Sequence, residues 1–148
     1  MPTFKLIDAK WGKMKLSDGT IIQFRVALVD AIPLQEPTPF GTEFEVNIAT
    51  GISAYPSRES IEEVKENPVL SPGETIKEGW KQVKITTFDS AYEEVKYIDE
   101  SLGEYKIRIE IEPAMVSKNT KVKTIRGEPL YVVKWIPKLM WERVPQGE

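Results

Sequence analysis

Two pairs of carboxylates stand at a spacing that chemistry can use. Glu43 and Glu45 are two apart in TEFEV, and Glu110 and Glu112 are two apart in RIEIE. On a strand, residues two apart share a face, roughly 6.5–7 Å from one another. Paired carboxyl groups near that separation carry out acid and base steps in glycoside hydrolysis. All four glutamates also alternate with apolar residues, as charges on the wet face of a sheet do, and that is the simpler reading of them.

The second group lies in KVKTIRGEPLYVVKW, residues 121 to 135. Lys121, Lys123, Arg126 and Lys134 stand beside Tyr131 and Trp135. Cations with aromatic rings on one face form the surface on which single-stranded nucleic acid stacks. If the stretch is a hairpin, the loop between its strands decides where these side chains go, because a one-residue slip exchanges the faces. A loop of two or four residues puts Val122, Thr124, Tyr131, Val133 and Trp135 on one face and Lys121, Lys123 and Lys134 on the other. A loop of three puts lysines and aromatics together. Pro129 has no N–H to pair with Arg126 across a two-residue turn, and a four-residue loop from Arg126 to Pro129 avoids that. The even loop is therefore favoured, with Trp135 in the core.

Other chemistry is narrowed by composition. The chain has no histidine and no cysteine. That removes imidazole bases, Ser-His-Asp triads, thiol nucleophiles, disulfides and ordinary zinc sites. A metal would need carboxylates and carbonyls, which suit Mg or Ca, yet no D-x-D-x-D-G loop is present. Neither G-x-G-x-x-G, G-x-x-x-x-G-K-[ST] nor G-x-S-x-G occurs. No cofactor and no metal are expected.

The 148 residues, 41% hydrophobic and 29% charged, predict one globular domain spanning 1–148. No apolar run approaches the ~20 residues of a membrane-spanning helix, and the N-terminus lacks the apolar core of a signal peptide. Three Asn and four Gln against abundant Lys and Glu fit a thermophile's cytoplasmic protein. Charge is uneven. Residues 41–112 hold eight basic and sixteen acidic side chains, and residues 113–144 hold seven basic and two acidic. Such asymmetry marks either an electrostatic binding face or neighbouring strands of opposite charge.

The elements that position these residues are mostly strands. KMKLSDGTIIQF predicts a hairpin, with Asp18-Gly19 as a two-residue turn. From Thr20 to Ala31, Ile22, Phe24, Val26 and Leu28 face one way. In TEFEVNIA, Phe44, Val46 and Ile48 do so, and GISAYP, 51–56, reads as a loop. Ser60 to Glu63 matches a capping box, predicting one short helix near 58–66 with Ile61 and Val64 on its packed face. WKQVKITTF reads as one strand. Ser90 to Glu93 matches a second capping box, predicting a helical turn at 90–93 and then a strand. In EYKIRIEIE, Tyr105, Ile107, Ile109 and Ile111 line one face. Pro137 marks a bend or an edge strand.

The fold expected is mostly β, an antiparallel barrel or sandwich of about seven to nine strands with one or two short helices. The function expected is a non-enzymatic binding or scaffold domain, a protein-contact module whose partner is another protein or a second copy, with no membrane. The alternative is a small-barrel single-stranded nucleic-acid binder using Lys121, Lys123, Arg126, Lys134 and Trp135. A carboxylate-based hydrolase trails both.

Overall fold

Alternation of apolar and polar residues dominates the chain, and the fold is built from strands accordingly. A computed structural model describes residues 1–36 and 38–145. It contains β1 (Thr3–Lys10), β2 (Gly12–Leu16), β3 (Ile21–Pro33), β4 (Phe44–Tyr55), α1 (Arg58–Glu63), β5 (Trp80–Val83), β6 (Ile85–Asp89), β7 (Ala91–Asp99), β8 (Gly103–Asn119) and β9 (Tyr131–Arg143). Among the described residues, nine strands and one short helix form a β-sandwich of two antiparallel sheets. The first sheet holds β1, β7, β8, β9 and β5, and the second runs β4-β3-β2-β6.

The sheets are joined by strands that pass from one to the other. β1 becomes β2 across Trp11 alone, and β6 becomes β7 across Ser90 alone. The two bent strands stay paired around the corner, with Lys13 opposite Asp89 before it and Lys10 opposite Tyr92 after it. Followed through the corner, the order is β4, β3, β2 with β1, β6 with β7, β8, β9. This is a single wrap of strands. Among the described residues, its two ends, β4 and β9, pair only with β3 and β8 respectively.

The corner needs a glycine. A Cβ on Gly12 would lie 2.3 Å from the Phe24 ring and 2.8 Å from the Asp89 carbonyl oxygen. β2 leaves its sheet here, opposite Phe24, so β3 beyond this point lacks a strand on that side. The Leu28 N–H instead donates to the Oε1 of Glu93, which is buried. Buried backbone donors need such a partner, and the corner makes the acidic side chain necessary.

The core fills from both sheets. Ile107, Ile109 and Ile111 of β8 are fully buried, against Ile22, Phe24 and Val26 of β3. Phe44 meets Tyr97, Tyr105 and Trp141 edge to face at 5.1–6.0 Å. β8 carries β7 and then β5 on one edge, and a bulge after Pro113 falls in the gap between them.

Several local expectations are overturned. Gly51 to Tyr55 continue β4, because β3 is long enough to pair with them (Arg25 opposite Gly51, Ile21 opposite Tyr55). Residues 91–93 are strand, since Ala91, Glu93, Val95 and Tyr97 all point into the core at period two. WKQVKITTF is two strands in different sheets, broken at Lys84. The helix is capped by Ser57, which accepts from the Ser60 N–H. Ser60 itself is buried, whereas Ile61 is exposed. The first hairpin turns through Ser17, Asp18 and Gly19, with the Leu16 N–H donating to the Thr20 carbonyl. Only Gly19 has positive φ, so the two-residue turn, which needs it at both positions, does not form.

Two substitutions test this packing. Ile109→Ala should cost about 2–5 kcal/mol by urea unfolding, through lost transfer energy and the cavity left behind. Gly12→Ala should cost about 1–3 kcal/mol by overpacking the corner, although it adds one methyl group.

Candidate functional site

The basic residues singled out above do not form one face with Trp135. Residues 121–125 are not a strand. β8 runs on to Asn119, and β9 pairs with β8 directly, Tyr131 opposite Lys118. The Asn119 Oδ1 accepts from the N–H groups of Lys121 and Val122, which turns the chain out of the sheet. Within the loop, Thr124 N–H donates to the Glu128 carbonyl around Ile125, Arg126 and Gly127. The turn thus has three residues, not an even number, with Gly127 in the left-handed region. Lys121 pairs with Glu78 at 3.2 Å, the Lys123 Nζ donates to the Lys65 carbonyl, and Arg126 lies 3.8 Å from Glu128. Lys134 is exposed on the outer face of β9. Trp135 points inward, 4.8 Å from the Phe24 ring and half-buried.

The carboxylate pairs lie on outer faces. Glu112 pairs with Lys138 and Glu110 with Arg108. Arg108 also pairs with Glu94 and stacks over Tyr92 at 3.8 Å. Glu45 is exposed on the far side of the other sheet. Among the described residues, no three acidic side chains converge to hold a metal ion.

The structure assembles a different polar cluster, around Asp18. Its Oδ1 accepts from the Thr20 N–H at 2.9 Å. Its Oδ2 accepts from Ser60 Oγ at 3.0 Å, Lys118 Nζ at 3.1 Å and Tyr131 OH at 2.9 Å. Tyr131 has one hydroxyl proton and gives it to Asp18, so Thr20 Oγ1 donates to the Tyr131 oxygen at 2.8 Å. Lys118 also pairs with Glu63 at 3.2 Å. Thr20, Ser60, Lys118 and Tyr131 are buried.

A serine beside a carboxylate and a lysine has the ingredients of proton transfer, but the electrostatics oppose it. Burial works against the Asp18 charge. The Thr20 amide, with Lys118 and Tyr131, outweighs it and holds its pKa down at about 2. Burial also opposes the Lys118 charge, and the bonds to Asp18 and Glu63 outweigh it and push its pKa up. Neither group is a useful base at neutral pH. The cluster ties four segments together: the β2–β3 turn, the start of α1, the end of β8 and the start of β9.

That tie, with a second contact, bounds an opening. At one end of β4 and β9, Tyr131 and Thr20 meet, and Thr20 Oγ1 accepts from the Ser57 N–H. At the other end the Trp141 Nε1–H donates to the Phe40 carbonyl, and Phe44 packs on Trp141. Between these points the facing side chains of β4 and β9 are incompletely covered. Ile48, Trp135 and Leu139 are half-buried, Ile52 is 41% exposed, and Thr50 and Pro137 are exposed. A groove of about 440 Å³ lined by Phe40, Glu43, Leu139, Met140 and Trp141 lies at the Phe40 end. Phe40 itself is 78% exposed. The sequence reading missed this opening, because half of each strand's apolar face is core and half is surface within one alternating pattern. Compared with models of known protein families, with curated proteins and with solved structures, the chain matches none.

The Asp18 tie has a pH signature. A carboxyl group whose pKa falls on folding stabilises the fold above its unfolded pKa, and loses that contribution as pH drops through the folded one. The window is therefore about pH 4 down to about pH 2. Asp18→Asn should be destabilised by about 3 kcal/mol at pH 7, since it leaves Lys118 without its buried partner. Its urea midpoint should approach that of the unsubstituted protein as pH falls across this window.

Proposed function

We propose that this chain is a non-enzymatic protein-contact domain that binds through the open side between β4 and β9. The observation that carries the reading is the apolar side chains of Ile48, Ile52 and Leu139 left in contact with water between β4 and β9, with a groove lined by Phe40, Leu139, Met140 and Trp141 at one end. Contiguous apolar surface of this kind, rimmed by polar residues, is characteristic of protein interaction sites. Phe40 and Trp141 supply aromatic area of the sort that anchors interfaces. The ionic network on the outer face of β7, β8 and β9 pairs its charges internally, and offers a partner less.

The test compares surfaces on the full chain. A photo-reactive side chain is placed at Met140 or Phe40, and separately at Lys134, in extract of the source cells. Protein adducts are expected from the first two positions, not from Lys134, and Leu139→Glu should abolish them. Filter binding of single-stranded DNA and RNA at two salt concentrations should give no steep salt dependence. A slope of about −0.7 per phosphate contact that flattens in Lys121→Ala, Lys123→Ala protein would replace this reading with nucleic-acid binding through the C-terminal loop.

A further inference from the structure

Edge strands invite pairing with other chains, and proteins blunt them with prolines, charges, bulges or shortness. Most edges here are blunted. β1 carries a bulge at Ile7 together with Lys5, Asp8 and Lys10. β5 and β6 have four and five residues. β9 is long, but the Leu130 carbonyl and the Val144 N–H both bond to β8. Backbone groups alternate in direction along a strand, so the odd residues of β9 face the free edge. Pro137 is among them and has no donor to offer, and Lys134 and Lys138 flank it.

β4 has almost none of these devices, its one charge being Glu45 near its start. It is twelve residues long, and β3, not β4, carries the bulge in their ladder. From Val46 to Tyr55 it contains no charge and no proline. The Glu43 carbonyl accepts from Leu34 N–H, so odd residues of β4 bond to β3. Val46, Ile48, Thr50 and Ile52 therefore turn their N–H and C=O groups to the unpaired edge. On the outer side Ala49 and Gly51 are small, and the space above Gly51 is open. Neither residue obstructs a second strand from that side.

We propose that β4 pairs antiparallel with β4 of a second copy, Thr50 opposite Thr50, forming a two-fold dimer with one continuous eight-stranded sheet. The proposal rests on the reading of this side as the contact surface, and it names the partner. The sequence around Thr50 is self-complementary. In this register Ile48 meets Ile52 of the other copy twice, and Thr50 meets its equivalent, giving three β-branched cross-strand pairs. Ala49 meets Gly51, so no bulk collides outside. Glu45 falls opposite Tyr55, so no like charges oppose one another in the ladder. A two-fold axis normal to the sheet keeps both inner faces on the same side. The half-exposed Ile48, Ile52 and Leu139 of each copy then face those of the other across the axis. Closed two-fold pairing of one patch with itself is also the commonest form of assembly.

Sedimentation across a concentration series is expected to show a dimer. Thr50 is exposed, and Thr50→Lys places two like charges opposite each other on the axis, as does Thr50→Glu. Each variant alone should dimerise about tenfold more weakly or worse, and an equimolar mixture should recover the dimer at low salt. Circular dichroism verifies that the variants fold. Hydrogen exchange on the unsubstituted protein reads the same edge independently. The amides of Val46, Ile48, Thr50 and Ile52 should gain protection as concentration rises. A protein monomeric at every concentration overturns the proposal, as does a dimer that tolerates both charge variants or leaves those four amides unprotected. Monomeric protein that still gives the Met140 adducts would sink the dimer alone and leave the contact reading standing.

Discussion

The fold depends on one constraint, the passage of two neighbouring strands from sheet to sheet through a corner one residue wide. Because β1 with β2 and β6 with β7 stay paired through it, the two sheets are fastened along that flank by covalent chain and ladder hydrogen bonds together. The chain's other local peculiarities follow. Gly12 must be bare because Phe24 closes over the bend, and Glu93 must be buried because the departing strand leaves the Leu28 N–H without a mate. Among the described residues, no such strand crosses on the opposite flank. β4 and β9 come together there through side chains alone, and the apolar interior reaches the surface between them.

Side-chain ties set the limits of that opening. The Asp18 cluster draws together residues from four segments at one end, and the Phe40–Trp141 contact holds the other. Both use groups that would be costly to bury unpaired, and every buried side-chain nitrogen and oxygen among the described residues has a hydrogen-bond partner. The outer faces are served differently. Glu94, Lys106, Arg108, Glu112 and Lys138 pair across strands in contact with water, where such pairs add solubility and register more than stability. The charge imbalance between the middle and the end of the chain is in part this arrangement, acidic β7 and basic β9 on either edge of β8, which carries three charges of each sign.

How much of this is legible in the amino acids depends on the range of the interaction. Period-two alternation reports a half-buried strand directly, and the buried faces of Ile22 to Leu28 and Tyr105 to Ile111 follow from it without knowledge of neighbours. The mostly β class and the short helix follow too, whereas the choice between barrel and sandwich does not. Corners leave no such mark. Lys84 and Ser90 sit within alternating stretches, and the change of sheet depends on partners far away. Capping signals at Ser60 and Ser90 are local competitors that lose to the ladder or shift to the neighbouring Ser57. Both turns depart from an even loop in the same way, since Gly19 and Gly127 each stand at the last position of a three-residue loop. The assembly of residues 18, 20, 60, 118 and 131 is invisible in spacing, because nothing in a serine or an aspartate states which distant turn it will meet.

The Asp18 tie bears on how the protein is made. Its last member, Tyr131, is synthesised 113 residues after Asp18, and the first strand's partner, β7, is itself more than ninety residues downstream (Thr3 opposite Ile98). Until β8 emerges, the meander of β2, β3 and β4 has Ile22, Phe24 and Val26 with no opposing sheet. Contacts of such separation slow folding and prolong exposure of apolar strands. The nascent chain is therefore an expected client of holding chaperones, which would shield the apolar face of β3 and the uncharged stretch of β4.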